Sequence, residues 1–525
     1  MYPGTHALHA PDRPAVIAAE TGRTLTYREL DDASAALARV LHDAGLRRGD
    51  VVALLSDNAP EALVVFWATH RSGMYVTAIN HHLTPNEASY IARDCGARAL
   101  IASAALTDLA QAVRQQTTID LRLAFGGQIA GFNSFEDALE MAGPRLDTQL
   151  CGAVMLYSSG TTGFPKGIRP PLPDRHVDQP GDPMVEIASK LYGINATDVY
   201  YSPAPIYHAA PLRWCGMIHS LGGTVVLANR FDAAKTLEYI ERYQITATQM
   251  VPTMFIRLLK LDSSTRQAHD LSSLRTVIHA AAPCPIDVKQ AMIDWLGPII
   301  YEYYASTEVH GKTFIDSADW TAHPGSVGRA VLGVLHICDD TGQELPAGTV
   351  GAVYFERDRL PFEYHNDPEK TAASQHPFHP IWTTVGDLGY VDNEGYLYLA
   401  DRKSFMIISG GVNIYPQEVE NVLALHPAVY DVAVIGIPDP EMGEQVKAVV
   451  QPPIGVDGSQ QLAHELIDYT RTRIAHYKCP RSVDFVNDLP RTPTGKLLKG
   501  DLRRRYLEQE QGSAARSGDS FGHAA

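Results

Sequence analysis

The chain has 525 residues, of which 45% are hydrophobic, and its 44 Lys and Arg against 60 Asp and Glu give a formal net charge of −16. This length exceeds what one hydrophobic core supports, so two or more globular domains are expected. The acidic balance argues against a nucleic-acid-binding protein, because neutralising phosphates requires a basic surface.

The cysteines and the N-terminus bear on the cellular compartment. Six scattered cysteines, with no CxxC pair and no histidine cluster, give no sign of a zinc site and fit reduced thiols in a cytoplasm. Residues 1–19 contain three prolines and no apolar core of signal-peptide length. No window approaches the roughly 20 apolar residues that cross a bilayer. We therefore expect a cytoplasmic protein without stable membrane insertion.

Helical and strand patterns alternate through the first third of the chain. A capping box at 26–29 precedes apolar residues at helical spacing up to Gly45, and a second capping box lies at 84–87. Residues 51–55 and 98–102 have the composition of strands. This alternation favours a layered α/β fold.

A run rich in glycine and hydroxyl groups, residues 157–167, follows the apolar residues 153–156, which predict a buried strand. Glycines let backbone amides approach an anion, hydroxyls add donors, and a lysine adds a mobile charge. The candidate phosphate-binding residues are Ser158, Ser159, Gly160, Thr161, Thr162, Gly163 and Lys166. Because Pro165 precedes the lysine and Gly167 follows it, the run differs from the nucleotide P-loop, and we expect a flap between strands. A polar surface linker is the alternative interpretation.

Residues 158–167 resemble the phosphate-loop signature of the adenylate-forming (ANL) superfamily, which contains acyl-CoA synthetases, peptide-synthetase adenylation domains and firefly-type luciferases. Six segments in all resemble motifs of this superfamily, in the same order, between about residues 10 and 506. The resemblance implies a large adenylation domain, residues 1–402, and a small mobile α+β domain, residues 403–507. The polar composition of residues 508–525 predicts a disordered tail.

The segment 301–308 is the second strong motif, and it resembles the Tyr-Gly-x-Thr-Glu phrase of the superfamily with Ala305 in place of glycine. Tyr304 offers an aromatic face for a purine, Thr307 a hydroxyl for the α-phosphate, and Glu308 a carboxylate for Mg²⁺. Downstream, Asp387 lies in a glycine-flanked turn, where a carboxylate can accept both hydroxyls of a ribose. The alternatives are a strand exit with an incidental glutamate and an ordinary turn aspartate.

The resemblance assigns roles to several further positions. Ala281, Ala282 and Pro283 match the turn that lies against adenine, Arg402 matches a contact to ribose or phosphate, and Lys496 matches the lysine that reaches the substrate carboxylate and ATP. Ser404 falls at the pivot between the domains, where Asp or Lys is usual, and Gly410 and Gly411 would admit the pantetheine arm of CoA. A plain strand-to-helix turn at 281–283 and a basic loop around Lys496 are the alternatives.

The acyl pocket is predicted from small and aromatic residues. His208 and Ala209, with Ala280, resemble the wall of the acyl pocket, although a histidine in an apolar run is more often a core residue. The proline-rich residues 169–183 predict a long exposed loop, either a lid or a tolerated insertion, and no chemistry is assigned to it.

These features predict an acyl-CoA ligase that uses ATP, Mg²⁺ and CoA and acts on a hydrophobic or bulky carboxylic acid, which is fatty, alicyclic, terpenoid-like or aromatic. One alternative is an aryl or amino-acid adenylating enzyme that loads a separate carrier protein. Another is a non-catalytic nucleotide-binding protein, and the motifs do not exclude luciferase-like oxidation. The oligomeric state is open, with a homodimer among the alternatives.

Overall fold

The computed structural model describes residues 1–158, 165–402, 405–409, 412–491 and 497–518, and for residues 158, 401, 402 and 509–518 it describes the backbone alone. The strands are β1 Pro14–Ala18, β2 Thr24–Thr26, β3 Val51–Leu55, β4 Tyr75–Ala78, β5 Ala97–Ser103, β6 Leu121–Phe125, β7 Asn133–Ser134, β8 Ala153–Val154, β9 Leu156–Ser158, β10 Lys166–Arg169, β11 Val199–Ser202, β12 Thr224–Leu227, β13 Ala247–Met250, β14 Thr276–His279, β15 Ile300–Glu302, β16 Lys312–Phe314, β17 Arg329–Leu332, β18 Val334–Cys338, β19 Gly351–Glu356, β20 Glu363–Tyr364, β21 Trp382–Thr383, β22 Asp387–Val391, β23 Leu397–Arg402, β24 Ile407–Ser409, β25 Val412–Ile414, β26 Asp431–Asp439, β27 Gly443–Gln451 and β28 Ser482–Phe485.

The helices are α1 Pro3–His9, α2 Tyr27–Asp43, α3 Pro60–His70, α4 Pro85–Asp94, α5 Thr107–Gln115, α6 Phe135–Glu140, α7 Pro183–Tyr192, α8 Ala209–Leu221, α9 Ala233–Tyr243, α10 Pro252–Leu259, α11 Ser263–Gln267, α12 Ile286–Leu296, α13 Ser317–Ala322, α14 Pro368–Ala373, α15 Pro416–Leu423, α16 Gln460–Arg471 and α17 Lys499–Gly518. Both predicted capping boxes form, at the starts of α2 and α4. The predicted α/β fold is confirmed.

Two mainly parallel sheets form the large domain. One has the strand order β7-β6-β5-β3-β4-β8, and the other has the order β15-β14-β13-β11-β12-β1-β2 with only β2 antiparallel. Helices α2, α3 and α8 share one hydrophobic core with strands of both sheets. Helix α3 is buried along residues 60–69, as expected for a helix that is apolar on every side. The sheets therefore sandwich a layer of helices, and the carboxyl ends of their strands point to one region.

Smaller antiparallel sheets complete the large domain. Strands β9 and β10 pair antiparallel, with Tyr157 opposite Gly167, and they flank the glycine-rich residues 159–164, which lie outside the described residues. The strand expected at 153–156 is divided into β8 and β9, which join different sheets. A further sheet has the order β18-β19-β22-β23, and β21 pairs with β19.

The proline-rich segment is more tightly held than an exposed loop. Residues 170–182 form neither helix nor strand, as the proline content predicts. However, Val177 is buried in the main core. The hydroxyl of Tyr75 donates to the carbonyl oxygen of Pro170 at 2.7 Å, and the amide of Cys151 donates to the carbonyl oxygen of Arg175 at 2.9 Å. These contacts hold the segment against the rest of the large domain.

A separate sheet begins after Arg402, with the order β25-β24-β27-β26 and β28 parallel to β27. Helices α15, α16 and α17 pack on this sheet. Helix α17 continues to Gly518, and the disordered tail expected from residue 508 stays a prediction. Leu502 and Tyr506 pack in a hydrophobic cluster with residues of β26 and β27 and so anchor the first part of the helix to the sheet.

Candidate active site

A cavity of about 1170 Å³ lies at the carboxyl ends of the strands in the two parallel sheets. Its lining includes residues at or just after the ends of β4, β13, β14 and β15, together with side chains of α3, α7 and α8. Ligand sites of open α/β sheets lie at this edge. All of its described lining residues belong to the large domain, between Phe66 and Gly386.

One end of the cavity is polar and is formed by the loop after β15. Thr307 and Glu308 line it; the guanidinium of Arg213 donates to the carbonyl oxygen of Thr307 at 3.1 Å, and the hydroxyl of Tyr364 donates to Glu308 Oε1 at 2.9 Å. The next residue, Val309, has φ of +51°, which is rare for a β-branched side chain. Such strained backbone persists where the surroundings hold it, and it clusters at functional sites.

Tyr304 and Asp387 form a buried pair beside this end. The Tyr304 hydroxyl donates to Asp387 Oδ2 at 2.6 Å across 83 residues of sequence. Neither is among the described residues that line the cavity, although their neighbours Ala305 and Gly386 are. The tyrosine next to Tyr304, Tyr303, does line it. Their predicted roles, purine stacking and ribose binding, stay predictions.

Lys166 lies at the start of β10 and forms an ion pair with Asp367, with Nζ 2.7 Å from Oδ2. This hydrogen bond raises the pKa of Lys166 and lowers that of Asp367, so both are charged at neutral pH. The neighbouring Pro165 and Lys370 line the cavity. A phosphate contact from Lys166 stays a prediction, and it would compete with Asp367.

Several predicted residues lie outside the described part of the chain: Ser159, Gly160, Thr161, Thr162, Gly163, Ser404, Gly410, Gly411 and Lys496. Ser158 and Arg402 are described by backbone alone; Ser158 pairs with Lys166 in the hairpin, and Arg402 pairs with Asp387 in the β22–β23 ladder. The pairing places the Arg402 backbone beside the predicted ribose anchor.

The other end of the cavity is largely apolar and includes the predicted acyl wall. His208, Ala209 and Ala280 all line the cavity, as do Ala281 and Ala282, whereas Pro283 is not among its described lining residues. Ala281 has φ of +73°, a backbone conformation that favours glycine, so the alanine at this turn is strained.

Sequence reasoning missed much of this apolar end. It is lined by Phe66, Trp67, His70, Met184, Trp214, Met217, Lys312 and Leu332, and by Pro170, Pro171 and Pro173 of the proline-rich segment. Most of them lie on helices whose apolar periodicity indicates only burial. Lys312 had a usable signal, since a lysine four residues after Glu308 begins a strand whose other residues, Thr313 and Phe314, are uncharged.

A buried ion pair supports the strands that carry the site. Lys289 Nζ donates to Glu302 Oε2 at 2.7 Å, and His279 Nε2 lies 3.4 Å from the same oxygen. Burial lowers the pKa of His279 well below its ordinary value, so its ring is neutral. Glu302 and His279 end β15 and β14, and the cavity-lining residues follow directly.

Comparisons with known proteins identify the family. The AMP-binding enzyme family matches residues 5–361, and the AMP-binding enzyme C-terminal domain matches residues 418–496. The chain belongs to the AMP-binding enzymes. Within this adenylate-forming superfamily it falls in the acyl-CoA synthetase branch, so the predicted class, an AMP-forming acid–thiol ligase, is confirmed.

Its relatives among the AMP-binding enzymes span nearly the whole chain. A feruloyl-CoA synthase of Amycolatopsis is 35% identical over 512 residues, covering 96% of this chain and 98% of the relative. A fatty acid–[acyl-carrier-protein] ligase, ScoC, of Streptomyces coeruleorubidus is 31% identical, with 95% of each covered. The structure of the anthranilate CoA ligase AuaEII with anthranoyl-AMP superposes with a TM-score of 0.80 at 28% identity, covering 96% of this chain and 97% of that one.

The polar end suits a magnesium ion that arrives with its nucleotide. Within the described ranges, no group of three or more His, Cys, Asp or Glu side chains is placed to hold a metal ion. Mg²⁺ is commonly bound by one or two carboxylates together with substrate phosphates, and Glu308 supplies one carboxylate. The donor set therefore fits Mg²⁺ bound through ATP.

No helix in the described part of the chain is both long and apolar enough to cross a bilayer. All six cysteines lie in described residues, and each is a free thiol.

Proposed function

We propose that this AMP-binding enzyme is an ATP-dependent acyl-CoA ligase that activates a hydrophobic or bulky carboxylic acid as acyl-AMP and then transfers the acyl group to CoA. The observation that carries this proposal is one continuous cavity with a polar end at Thr307 and Glu308 and an apolar end between α3 and α8. A nucleotide and an organic acid can meet where the two ends join.

The first half-reaction is a displacement at phosphorus. The acid's carboxylate attacks the α-phosphorus of ATP, and pyrophosphate leaves with the negative charge. Because the nucleophile is already an anion, the site needs positive potential rather than a general base. Lys496, Lys166 and the Thr307 hydroxyl would contact the phosphates, and Glu308 would hold Mg²⁺, which offsets phosphate charge when bound. Fixing both reactants in one cavity lowers the barrier by several kcal/mol more.

The second half-reaction is attack of the CoA thiol on the acyl-AMP carbonyl, which releases AMP. In the proposed sequence the small domain turns about Ser404, withdraws Lys496 and brings Gly410 and Gly411 to the pantetheine arm. Small glycines allow that thin arm to pass close to the backbone.

The apolar end supports a hydrophobic acid over an amino acid. An amino-acid substrate requires a carboxylate that faces its ammonium group, and the described lining carboxylates are Asp182, Glu308 and Asp358. Asp182 caps α7 by accepting from the amide of Met184 at 2.9 Å, and Glu308 belongs to the phosphate end. Relatives named for feruloyl and anthranoyl groups are consistent with an aryl acid as one form of this substrate.

The second candidate function is loading of a separate carrier protein, which the ScoC relative favours. Pyrophosphate release from ATP, measured with a panel of fatty, alicyclic and aryl acids and with CoA or a phosphopantetheinylated carrier protein, separates the candidates. We expect acid-dependent release and an acyl-CoA product. Acylation of the carrier protein alone would establish the second candidate, and the complete lack of ATP turnover would support a nucleotide-binding role.

Lys496 gives a sharper test of the two half-reactions. Lys496→Ala is expected to abolish adenylation, a loss of about 100-fold or more, because it removes charge that stabilises the leaving pyrophosphate. Thioester formation from supplied acyl-AMP should persist. Lys235→Ala, an exposed lysine on α9 outside the cavity, is the control. Equal loss of both half-reactions in the Lys496 variant would contradict the assignment.

A further inference from the structure

A buried cation lies at the apolar end of the cavity. Lys312, the first residue of β16, is 3% exposed and lines the cavity. Its ammonium nitrogen lies 4.1 Å from the ring centre of Tyr303 and 5.5 Å from those of Trp214 and Tyr192. Three aromatic rings therefore surround a charge that faces the space predicted to hold the acid.

No hydrogen bond or ion pair joins the ammonium group of Lys312 to any residue that the structure describes, and burial is the one cause of its lowered pKa. Its ammonium nitrogen is not among the fully enclosed polar atoms that lack a partner, so it reaches the cavity space. Two other polar side chains that line this end form hydrogen bonds within their own helices. Ser220 Oγ donates to the carbonyl oxygen of Gly216 at 3.0 Å, and His70 Nδ1 lies 3.2 Å from the carbonyl oxygen of Phe66. Ring faces attract a cation but do not replace the hydrogen bonds it has in water.

A purely structural role explains this lysine poorly. Methionine or leucine would fill the same volume among three rings without desolvating a charge, and burial alone lowers the pKa of Lys312 to about 7. Buried charges in folded proteins are normally paired. The missing partner is explained if the substrate brings it.

We propose that Lys312 is a specificity-determining residue that binds an oxygen acceptor carried by the acid substrate at a position remote from its reacting carboxylate. The inference rests on the proposed acyl-activating function and narrows the substrate to acids with a distal carboxylate, keto or phenolic oxygen. Acids that are hydrocarbon throughout would leave the ammonium unpaired and would bind less well.

The size of the expected preference follows from the geometry. A hydrogen bond between a charged donor and a neutral or ionised oxygen corresponds to about a 10- to 100-fold preference in kcat/KM. Sites built to hydrogen-bond a substrate group reject analogues that lack it more strongly than apolar pockets discriminate by size. The Tyr303 hydroxyl, which accepts from the indole nitrogen of Trp214 at 3.3 Å, is placed to assist.

The test compares matched acids in the wild-type enzyme and in Lys312→Met. Pyrophosphate release is measured with octanoate against octanedioate and oxo-octanoate, and with phenylpropanoate against its para-hydroxyl, para-acetyl and para-carboxyl derivatives. We expect the wild type to prefer at least one oxygen-bearing acid by about 10-fold or more, and Lys312→Met to reduce that preference to about 3-fold or less. The three kinds of oxygen distinguish a carboxylate from a keto or phenolic partner.

Ser220→Ala is the matched control, because it removes a polar group from the same end of the cavity that is already hydrogen-bonded within its helix. The preference of Ser220→Ala for oxygen-bearing over hydrocarbon acids should stay within about 2-fold of the wild-type preference. Lys312→Arg should keep part of the preference, which a loss of packing alone would not produce.

The outcomes separate the two proposals. Pyrophosphate release without any preference for oxygen-bearing acids, or a preference that Lys312→Met retains, overturns the role of Lys312 and leaves the ligase proposal intact. No release with any acid in any variant overturns both.

Discussion

Replacing Lys312 with methionine should stabilise the folded protein, and the gain should shrink as pH rises. Burial lowers the pKa of Lys312 from 10.5 to about 7. Between these values the unfolded chain carries a proton that the folded chain has released, so the free energy of unfolding of the wild type rises with pH over this interval. Below about pH 7 both states are protonated, and the full cost of the buried charge applies.

The magnitude follows from the shift, since one pKa unit corresponds to about 1.4 kcal/mol. The upper bound below pH 7 is therefore about 4 to 5 kcal/mol, and about 2 kcal/mol remains at pH 9. Tyr192 and Tyr303 do not titrate in this window because burial raises their pKa values, and His70, with a pKa of about 4, stays neutral throughout.

The assay is urea denaturation of both proteins, without substrates, at pH 6 and at pH 9, with equal m-values required for comparison. We expect the stability advantage of Lys312→Met to be about 2 to 3 kcal/mol larger at pH 6 than at pH 9. An advantage that is the same at both pH values within about 0.5 kcal/mol would show that Lys312 is hydrated or paired, and the reasoning would be refuted.

Three further predictions concern the frame of the site. Lys289→Met should lower the free energy of unfolding by about 3 to 5 kcal/mol because it leaves Glu302 buried without its cation. The double variant Lys289→Met with Glu302→Leu should recover much of that loss. Equal losses for the single and the double variant in urea denaturation would contradict the pairing. Tyr304→Phe should raise the KM for ATP about 3- to 10-fold, because the Asp387 carboxylate loses the 2.6 Å hydrogen bond that orients it, and the KM for the acid should change little. Steady-state kinetics in which only the KM for the acid changes would contradict this. Val309→Gly should change the free energy of unfolding by less than about 1 kcal/mol, since relief of the strained φ offsets the entropy that glycine adds to the unfolded chain; a urea-measured loss above about 2 kcal/mol would argue against strain.

Local chemistry made part of the fold predictable. The capping boxes at Thr26 and Thr84 begin helices where expected, because the cap needs only two residues three positions apart. The position of the glycine-rich segment between two strands followed from Pro165 and the apolar run before it. The docking of α17 was not predicted, because Leu502 and Tyr506 pack on a sheet that lies earlier in the chain.

Part of the candidate site could likewise be predicted from the sequence, and part could not. Residues within one motif, such as Thr307 and Glu308, could be read directly from the sequence. Contacts between distant segments could not, because no periodicity relates Tyr304 to Asp387 or Lys166 to Asp367. The apolar end was missed for a related reason: Phe66 and Trp214 have the pattern of core residues, and only the cavity beside them marks them as candidate substrate contacts.

A crystal structure with a non-hydrolysable acyl-adenylate analogue tests the central claim most directly. The account predicts the adenosine beside Ala281 and Asp387, the phosphate-equivalent group near Thr307 and Glu308, and the acyl chain between Phe66 and Trp214 with its distal oxygen on Lys312. An analogue bound with its acyl chain outside this cavity, or with its adenosine between α3 and α8, would contradict it.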